Sequence, residues 1–215
     1  MIFDPKSLLL YAVTDRSWTS RQSLYEQVED ALKGGVTLVQ LREKDLDEAA
    51  FIQDSRELKE LCHRYQVQLI INDNVKVALE SGEDGVHVGQ EDQGASEIRK
   101  LAGPEFIIGV TAKTIEQAQK AEAEGADYLG VGAVFPSPTK TNAVRITREE
   151  LKSICNSVSI PAVAIGGISR SNLSELAGGG MSGIAVVSAV FAAEDIEAAA
   201  RELKQKAEIL VKTET

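Results

Sequence analysis

The sequence predicts one α/β domain over residues 1–215, folded as a (β/α)8 barrel, also called a TIM barrel. Eight short apolar runs alternate with amphipathic stretches from one end of the chain to the other. Each strand–helix unit takes roughly 27 residues, which is short for such a barrel but sufficient. No linker or change of composition interrupts the alternation. An open, doubly wound sheet is the alternative, but it usually has fewer strands at this length, and no GxGxxG follows the first run.

The apolar runs predict buried parallel strands, because they are short and rich in Val, Ile and Leu. The first strand and its polar end are expected near residues 8–15. In chain order, the runs cover residues 8–13, 38–41, 68–71, 85–88, 106–110, 128–134, 162–165 and 183–190.

The stretches between the runs predict helices, because apolar residues recur in them with a helical period. In the first stretch, Leu24, Val28 and Leu32 share one helix face. A helix is expected to begin near Ser169, after the seventh run. The final helix is expected near residues 194–211, where Ala, Glu, Lys and Leu are strong helix formers. Glycines directly after several stretches are typical of helix C-caps.

The composition restricts the class of partner. The net charge of −10 argues against a nucleic-acid binder, which needs a basic face, and against an anionic membrane surface. No run approaches the roughly 18 apolar residues of a spanning helix, and the N-terminus lacks a secretory signal pattern. These observations predict a cytoplasmic protein with small-molecule partners. Cys62 and Cys155 are expected to be buried, reduced thiols.

Polar residues crowd the ends of the runs, where a barrel places its active site. Gln40, Arg42 and Lys44 end the second run and share one face of the strand by alternation. An amide, a guanidinium and an ammonium in a row suit a multiply charged phosphate. The alternative is a solvated strand end on which Arg42 pairs with a neighbouring carboxylate, and the spacing favours neither interpretation.

Two carboxylates, Asp73 and Asp92, follow the third and fourth runs. Carboxylates on neighbouring strands can share one Mg²⁺, which binds one or two of them together with substrate phosphate. Asp73 could instead cap the helix that follows it, and the local sequence slightly favours this second interpretation. Asn72, one residue earlier, is a separate hydrogen-bonding candidate.

A second anion site is expected after the seventh and eighth runs. Gly166 and Gly167, like Val187 and Ser188, leave backbone N–H groups beside the start of a predicted helix. Barrels often bind phosphate in these two loops, where amides and the helix dipole meet it. Two tight turns without a ligand are the alternative interpretation.

The loop after the sixth run carries Ser137, Thr139 and Lys140 between and beside two prolines. Proline restricts the backbone, so the loop could hold these groups towards a phosphate, or it could be a plain polar loop. Whether residues 136–145 close as a lid is left open by the sequence.

Neither histidine is expected to take part in the chemistry. His63 is predicted on a helix surface, and His87 is predicted to be structural, one residue off the ligand phase of the fourth strand. A hydrolytic triad is therefore not expected. Two anion sites bridged by the sixth loop suggest the joining of two phosphorylated fragments, with diphosphate leaving.

The strand ends together resemble the motifs of the thiamine-phosphate synthase family, in the family's order and over nearly the whole chain. One such motif would be weakly specific, whereas the ordered set is strongly specific. The matching segments are 11–15 (YAVTD), 40–44 (QLREK), 71–73 (IND), 87–92 (HVGQED), 108–111 (IGVT), 135–140 (FPSPTK), 164–168 (AIGGI) and 187–189 (VSA).

The resemblance implies a transferase that forms a C–N bond. Hydroxymethylpyrimidine diphosphate would ionise with the help of Mg²⁺, one ion per subunit. The nitrogen of thiazole phosphate, or of its carboxylated form, would then attack the pyrimidine-methyl carbon. The products would be thiamine phosphate and diphosphate, with CO₂ from the carboxylated form. The resemblance leaves a homo-oligomer open.

The resemblance also implies roles for the strand-end residues. The pyrimidine diphosphate would contact Gln40, Arg42, Lys44, Asn72, Thr111 and Lys140. Three of these would act in catalysis, namely Arg42, Thr111 and Lys140. The thiazole phosphate would contact Ser137, Thr139, Gly167, Val187 and Ser188. The implied Mg²⁺ ligands are Asp73 and Asp92.

Three positions depart from the family pattern. Thr111 replaces the common Ser, Lys113 the usual His, and Ser137 the usual Thr. The hydroxyl group is kept at two of them, so we expect altered rate or affinity rather than loss of function.

Three other functions compete with the synthase. An isomerase resembling thiazole tautomerase should lack the Gln-x-Arg-x-Lys pattern and Lys140. A Schiff-base aldolase could use Lys140, but such a lysine normally needs a buried pocket that lowers its pKa. A thiamine-precursor binding protein without catalysis would not need the intact Asp73 and Asp92.

Overall fold

The computed structural model describes residues 3–136 and 144–212, and its strands close into one parallel barrel in the order β1 to β8. The last strand returns to the first, with Leu10 paired to Ile184. The predicted fold class is therefore confirmed. The strands are β1 Leu10–Val13, β2 Leu38–Leu41, β3 Gln68–Asn72, β4 Gly85–Val88, β5 Ile107–Ala112, β6 Tyr128–Gly132, β7 Ala162–Ile165 and β8 Gly183–Val186.

Helices connect the strands and cover the outside of the barrel. Three short 3-10 helices accompany them at Pro5–Leu8, Arg16–Trp18 and Leu173–Leu176. The α-helices are α1 Leu24–Lys33, α2 Glu48–Arg64, α3 Val75–Ser81, α4 Ala95–Ala102, α5 Ile115–Ala123, α6 Arg148–Cys155, α7 Ser188–Phe191 and α8 Ile196–Lys212.

Local sequence signals explain where these helices begin and end. Ser23 and Thr147 each form a capping box with a Glu three residues later, which satisfies orphan N–H groups at the starts of α1 and α6. Gly82 ends α3 in the left-handed conformation (φ 74°), as its C-cap signal predicts. The last helix, α8, agrees with the prediction near residues 194–211.

The helix expected near Ser169 is not present, and this prediction is wrong. The β7–β8 connection holds only the 3-10 turn Leu173–Leu176. Gly178, Gly179 and Gly180 follow it, and the first and last have φ near 80°. Because glycine is a poor helix former and left-handed residues end a helix, the chain turns back early.

Strand β8 also ends earlier than the predicted run 183–190. Its last residue is Val186, and the remaining apolar residues form the short helix α7. The first strand begins at Leu10 rather than residue 8, because Pro5–Leu8 forms a 3-10 turn. Both errors have one cause: apolar residues continued beyond the strands, and periodicity cannot separate short buried strands from short buried helices.

Two apolar cores hold the barrel. The larger one lies between the strands and the helices, and the smaller one fills the bore, where Leu38, Ile70, Ile107 and Val163 meet from different strands. Tyr11 and Tyr128 complete the inner layer, fully buried. In the described part of the chain, no helix is long and apolar enough to cross a membrane. Both cysteines of the described residues, Cys62 and Cys155, are buried thiols outside any disulfide, as predicted.

Candidate active site

The carboxyl ends of the parallel strands meet at one mouth of the barrel, where the sequence places its polar residues. A cavity of about 500 Å³ opens beside the ends of β2 and β3, a volume typical of small-molecule sites. Three predicted site residues line it, namely Lys44, Asn72 and Asp73. Its further lining includes Glu43, Phe51 and Lys76.

The end of β2 faces the mouth with the predicted side chains. Gln40 is buried and its Nε2 donates to Tyr11 Oη at 2.6 Å. Arg42 is anchored twice: its backbone N–H donates to Thr14 Oγ1 at 3.0 Å, and its Nη1 lies 3.2 Å from Asp15 Oδ2. The guanidinium therefore lies at the mouth and is paired with a carboxylate, as the second interpretation of the sequence expected, while phosphate binding stays a prediction.

Asp15, which orients Arg42, is held in its charged form. Burial favours the protonated acid, but hydrogen bonds from Ser17 and the charges of Arg42 and Lys44 outweigh it. The pKa of Asp15 is consequently below its ordinary value. The Arg42–Asp15 pair therefore persists at neutral pH and fixes the guanidinium at the mouth.

The two carboxylates predicted to bind metal lie at the ends of neighbouring strands. Asp73 follows β3 with φ 60°, and its N–H donates to His87 O at 2.8 Å. Asp92 lies after β4, where its Oδ2 accepts from Gly89 N at 2.7 Å. Both side chains are exposed at the mouth.

The interpretation of Asp73 as a helix cap is wrong. The N-cap of α3 is Asn74, whose Oδ1 accepts from Val77 N at 3.0 Å. Asp73 occupies the left-handed region, which Asp tolerates better than most residues, and so lies one residue before the cap. Its carboxylate is not used to begin the helix.

Thr111 on β5 contacts a histidine that the sequence analysis set aside. Its Oγ1 lies 3.0 Å from His87 Nε2, while His87 Nδ1 lies 3.1 Å from Tyr128 Oη. Burial lowers the pKa of His87 to about 4, although the charge of Asp92 raises it slightly. The side chain of His87 thus points into the bore and contacts Thr111, so the expectation that it lies one residue off the ligand phase is wrong, whereas its structural role stays a prediction.

The signal that could have found His87 was strand alternation itself. Gly85, His87 and Gly89 share one phase, and the register pairs His87 with Asn72 on one side and Gly109 on the other. His63, in contrast, lies on α2, partly exposed, and pairs with Asp84 at 2.8 Å. Asp15, Tyr11 and Tyr128 were likewise given no role by the sequence.

The loops after β7 and β8 supply backbone groups to the other side of the mouth. Gly166 and Gly167 have φ of 104° and 64°. A Cβ at Gly167 would lie 2.2 Å from Pro136 O, so only glycine allows this approach of the two loops. Val187 precedes α7, whose first N–H groups, beginning at Ser188, cannot bond within the helix.

The remaining predicted site residues belong to the sixth loop. Ser137, Thr139 and Lys140 lie outside the described residues, as does most of the possible lid 136–145. Lys113 is described: its backbone N–H donates to Gln117 Oε1 at 2.8 Å, beside the start of α5. Pro136, the last described residue before the gap, lies against Gly167.

A closed parallel barrel whose mouth gathers an arginine, carboxylates and a buried hydroxyl network is that of a TIM-barrel enzyme. Residues 10–190 match the family model described as thiamine monophosphate synthase. The chain therefore belongs to the thiamine monophosphate synthase family, and the family predicted from the strand-end motifs is confirmed. The prediction of a transferase that forms thiamine phosphate is confirmed with it.

Individual relatives agree with this assignment. Over 192 residues the chain is 46% identical to the thiamine-phosphate synthase of Clostridium acetobutylicum, covering 89% of this chain and 91% of the relative. Over 193 residues it is 48% identical to thiamine-phosphate synthase 2 of Streptococcus pneumoniae, covering 90% and 92%. The solved thiamine phosphate pyrophosphorylase of Pyrococcus furiosus superposes with a TM-score of 0.89 at 39% identity, covering 96% of this chain and 98% of that one.

Proposed function

We propose that this chain joins hydroxymethylpyrimidine diphosphate to thiazole phosphate, giving thiamine phosphate and diphosphate. The carboxylated thiazole phosphate would serve as well, with loss of CO₂. One observation carries the proposal: the ends of β2 to β5 bring Gln40, Arg42, Asn72 and Thr111 to one mouth. The relatives named as thiamine-phosphate synthases support it.

The pyrimidine diphosphate binds on the β2 to β5 side in this proposal. Arg42 offers a planar guanidinium with several N–H donors, and Asp15 has already oriented it. Lys44 is exposed at the cavity and adds a positive charge to the same side. Asn72 and Gln40 supply amide groups next to it. A multiply charged leaving group gains most from positive charges that are in place before the bond breaks.

The donor set at the mouth fits one Mg²⁺. Asp73 and Asp92 are exposed carboxylates on neighbouring strand ends, and Mg²⁺ in proteins often takes one or two carboxylates plus substrate phosphate. No group of three or more His, Cys, Asp or Glu side chains suited to a metal occurs within 3–136 and 144–212, which disfavours a closed structural site. Bound there, Mg²⁺ would neutralise charge on the diphosphate.

The thiazole phosphate binds on the opposite side. The loop Gly166–Gly167 follows β7 with both residues at positive φ, and the first N–H groups of α7, beginning at Ser188, follow β8 at the same end of the barrel. Backbone amides at such turns bind phosphate well. Ser137, Thr139 and Lys140 would complete the two sites from the sixth loop, as the family resemblance implies.

The chemistry needs no covalent nucleophile from the chain. The C–O bond to the diphosphate breaks with both electrons leaving on oxygen, and the thiazole nitrogen donates its lone pair to the freed carbon. Arg42 and Lys44 stabilise the departing charge. Thr111 lies near the reacting groups, with its hydroxyl supported by His87. A cytoplasmic location, any homo-oligomer and a single domain over 1–215 remain predictions from the sequence.

The proposal is tested by incubating the purified chain with both substrates and Mg²⁺. Thiamine phosphate and diphosphate should form in equal amounts, and EDTA should stop both. If a protein with folded circular dichroism releases neither product, the proposal is wrong.

The same preparation separates the competing activities. Conversion of the carboxylated thiazole phosphate alone, without the pyrimidine substrate, would indicate the isomerase. Borohydride trapping of a carbonyl substrate on lysine would indicate the Schiff-base aldolase. Tight binding of both substrates without turnover would indicate a precursor-binding protein.

A further inference from the structure

A continuous chain of hydrogen bonds crosses the bore beneath the mouth. Gln40 Nε2 lies 2.6 Å from Tyr11 Oη, and Tyr11 Oη lies 2.8 Å from Tyr128 Oη. Tyr128 Oη lies 3.1 Å from His87 Nδ1, and His87 Nε2 lies 3.0 Å from Thr111 Oγ1. The chain therefore joins a β2 side chain to a β5 side chain through three residues that line the inside of the barrel.

The barrel is built around this chain. Tyr11 and Tyr128 pack edge to face with ring centroids 5.9 Å apart, and the His87 and Tyr128 rings lie 5.5 Å apart. A Cβ at Gly109 would lie 2.2 Å from Tyr128 Cζ, and one at Gly130 would lie 2.9 Å from His87 Cε1. The two rings therefore require glycine at these positions of β5 and β6, because any side chain there would displace Tyr128 or His87.

The number of protons that each group carries sets the direction of donation along these hydrogen bonds. The amide nitrogen of Gln40 can only donate, so Tyr11 accepts from it and must give its single proton to Tyr128. Among the described residues, His87 Nδ1 is then the acceptor that lies within reach of the Tyr128 proton. If Tyr128 donates to Nδ1, that nitrogen carries no proton in the neutral ring, and the ring proton lies on Nε2, facing Thr111.

We propose that Tyr11, Tyr128 and His87 are positioning residues that fix the hydrogen-bonding roles of Gln40 and Thr111. Because His87 donates to Thr111 Oγ1, the hydroxyl proton of Thr111 is directed away from His87, towards the bound substrate. One of the two N–H groups of Gln40 is bonded to Tyr11, which fixes the orientation of the amide and leaves its carbonyl oxygen and second N–H for other partners. The hydrogen bonds therefore fix the orientation of the Gln40 amide at one end and the donor role of the Thr111 hydroxyl at the other.

The tautomer of His87 tests the proposed direction of hydrogen-bond donation without a measurement of enzyme turnover. The chain has two histidines, so ¹⁵N-histidine labelling gives two imidazole spin systems, and His63→Gln assigns them. Long-range ¹H–¹⁵N correlation at pH 7.5 should show His87 as the Nε2–H form with Nδ1 unprotonated. An Nδ1–H form would make His87 the donor to Tyr128 and an acceptor from Thr111, which would reverse the hydrogen bonds between Tyr11 and Thr111 and overturn the proposal.

Enzyme kinetics test whether the hydrogen bonds through Tyr128 and His87 act on Thr111. This second experiment rests on the proposed function. Tyr128→Phe keeps the ring and removes the central hydroxyl, so kcat/KM for the pyrimidine diphosphate should fall about tenfold. The matched control is Tyr65→Phe, whose hydroxyl lies 3.4 Å from Glu29 Oε1 on the outside of the barrel. It should change kcat/KM by less than twofold.

The decisive comparison places Tyr128→Phe in a Thr111→Val background. If Tyr128 acts through Thr111, its substitution should then change kcat/KM by less than twofold. An undiminished tenfold loss would show a merely structural role and overturn the proposal. Absence of thiamine phosphate formation by the wild type, with the Nε2–H tautomer observed, would refute the proposed function and leave the chain of hydrogen bonds standing.

Discussion

The two sides of the barrel mouth offer different kinds of chemical group to the two proposed anion sites. On the β2 to β5 side the groups are side chains, with Arg42 oriented by Asp15 and two carboxylates nearby. On the β7 and β8 side they are backbone N–H groups at Gly166–Gly167 and at the start of α7. A side-chain site is lost with one substitution, whereas a backbone site persists unless its backbone changes. The two sides should therefore respond very differently to mutation.

Arg42→Ala should have the largest effect. It removes an oriented charge where the leaving diphosphate is expected, so kcat/KM for the pyrimidine diphosphate should fall about 10²- to 10³-fold. The control is Arg201→Ala, which removes a guanidinium paired with Glu197 on the outer helix α8 and should retain activity. Steady-state kinetics with circular dichroism measures both, and near wild-type rates for Arg42→Ala would break the assignment of this side.

Asp92→Asn should have the next largest effect. The amide keeps an oxygen for the bond from Gly89 N but loses the charge, so the Mg²⁺ concentration for half-maximal rate should rise roughly 10- to 100-fold. Glu91→Gln is the matched control, since it removes the same charge one residue away. Equal Mg²⁺ requirements in the two variants would show that Asp92 is not a ligand.

Ser188→Ala should have a small effect, because the backbone N–H groups of α7 remain. Only one hydroxyl is lost, and we expect the KM for thiazole phosphate to rise about threefold with kcat unchanged. Initial rates over a range of thiazole phosphate concentrations give both constants. A loss as large as that of Arg42→Ala would mean that this side also depends on side chains.

Glu83→Gln should leave kcat unchanged, because Glu83 precedes β4 at the opposite end of the barrel. It is buried, and neither carboxyl oxygen has a hydrogen-bond partner in the described chain. Burial and the charge of Asp84 raise its pKa to about 8, against the opposing charges of Lys59 and Arg56.

This raised pKa has a defined consequence for stability. The folded state holds the Glu83 proton more tightly than the unfolded chain. The contribution of this proton to the free energy of unfolding is therefore complete below about pH 4 and is lost as the pH rises through about 8. The wild type should lose up to about 1.4 kcal/mol of unfolding free energy per pH unit in that window from this group. Urea unfolding at pH 5, 7 and 8.5 should give a flatter profile for Glu83→Gln, and parallel profiles would contradict the assignment.

The same contrast explains what the sequence could predict. Polar and charged side chains at strand ends are visible in the sequence, so spacing and motifs could predict that Gln40, Arg42 and Asp92 lie at the mouth, while their roles stay predictions. The triglycine that replaces the seventh helix acts through backbone conformation, as does the left-handed turn at Asp73. Asp and Asn both cap helices, so the sequence alone cannot choose between Asp73 and Asn74. The structure does, because Asp73 has a φ of 60° and the side chain of Asn74 accepts from Val77 N.

The inner network was missed for a different reason. His87, Tyr11 and Tyr128 come from strands far apart in sequence, and their contact depends on the register of a closed barrel. Each residue alone fits a buried strand equally well. Only closure of the sheet shows that their polar atoms meet in one line between Gln40 and Thr111.

The central claim is that the mouth holds two separate anion sites, one on each side. It is tested most directly by calorimetric titration of wild type and Arg42→Ala with each substrate in turn. The affinity for the pyrimidine diphosphate should fall at least tenfold in Arg42→Ala, while the affinity for thiazole phosphate stays within twofold of the wild type. An equal loss of affinity for both substrates would contradict two separate sites.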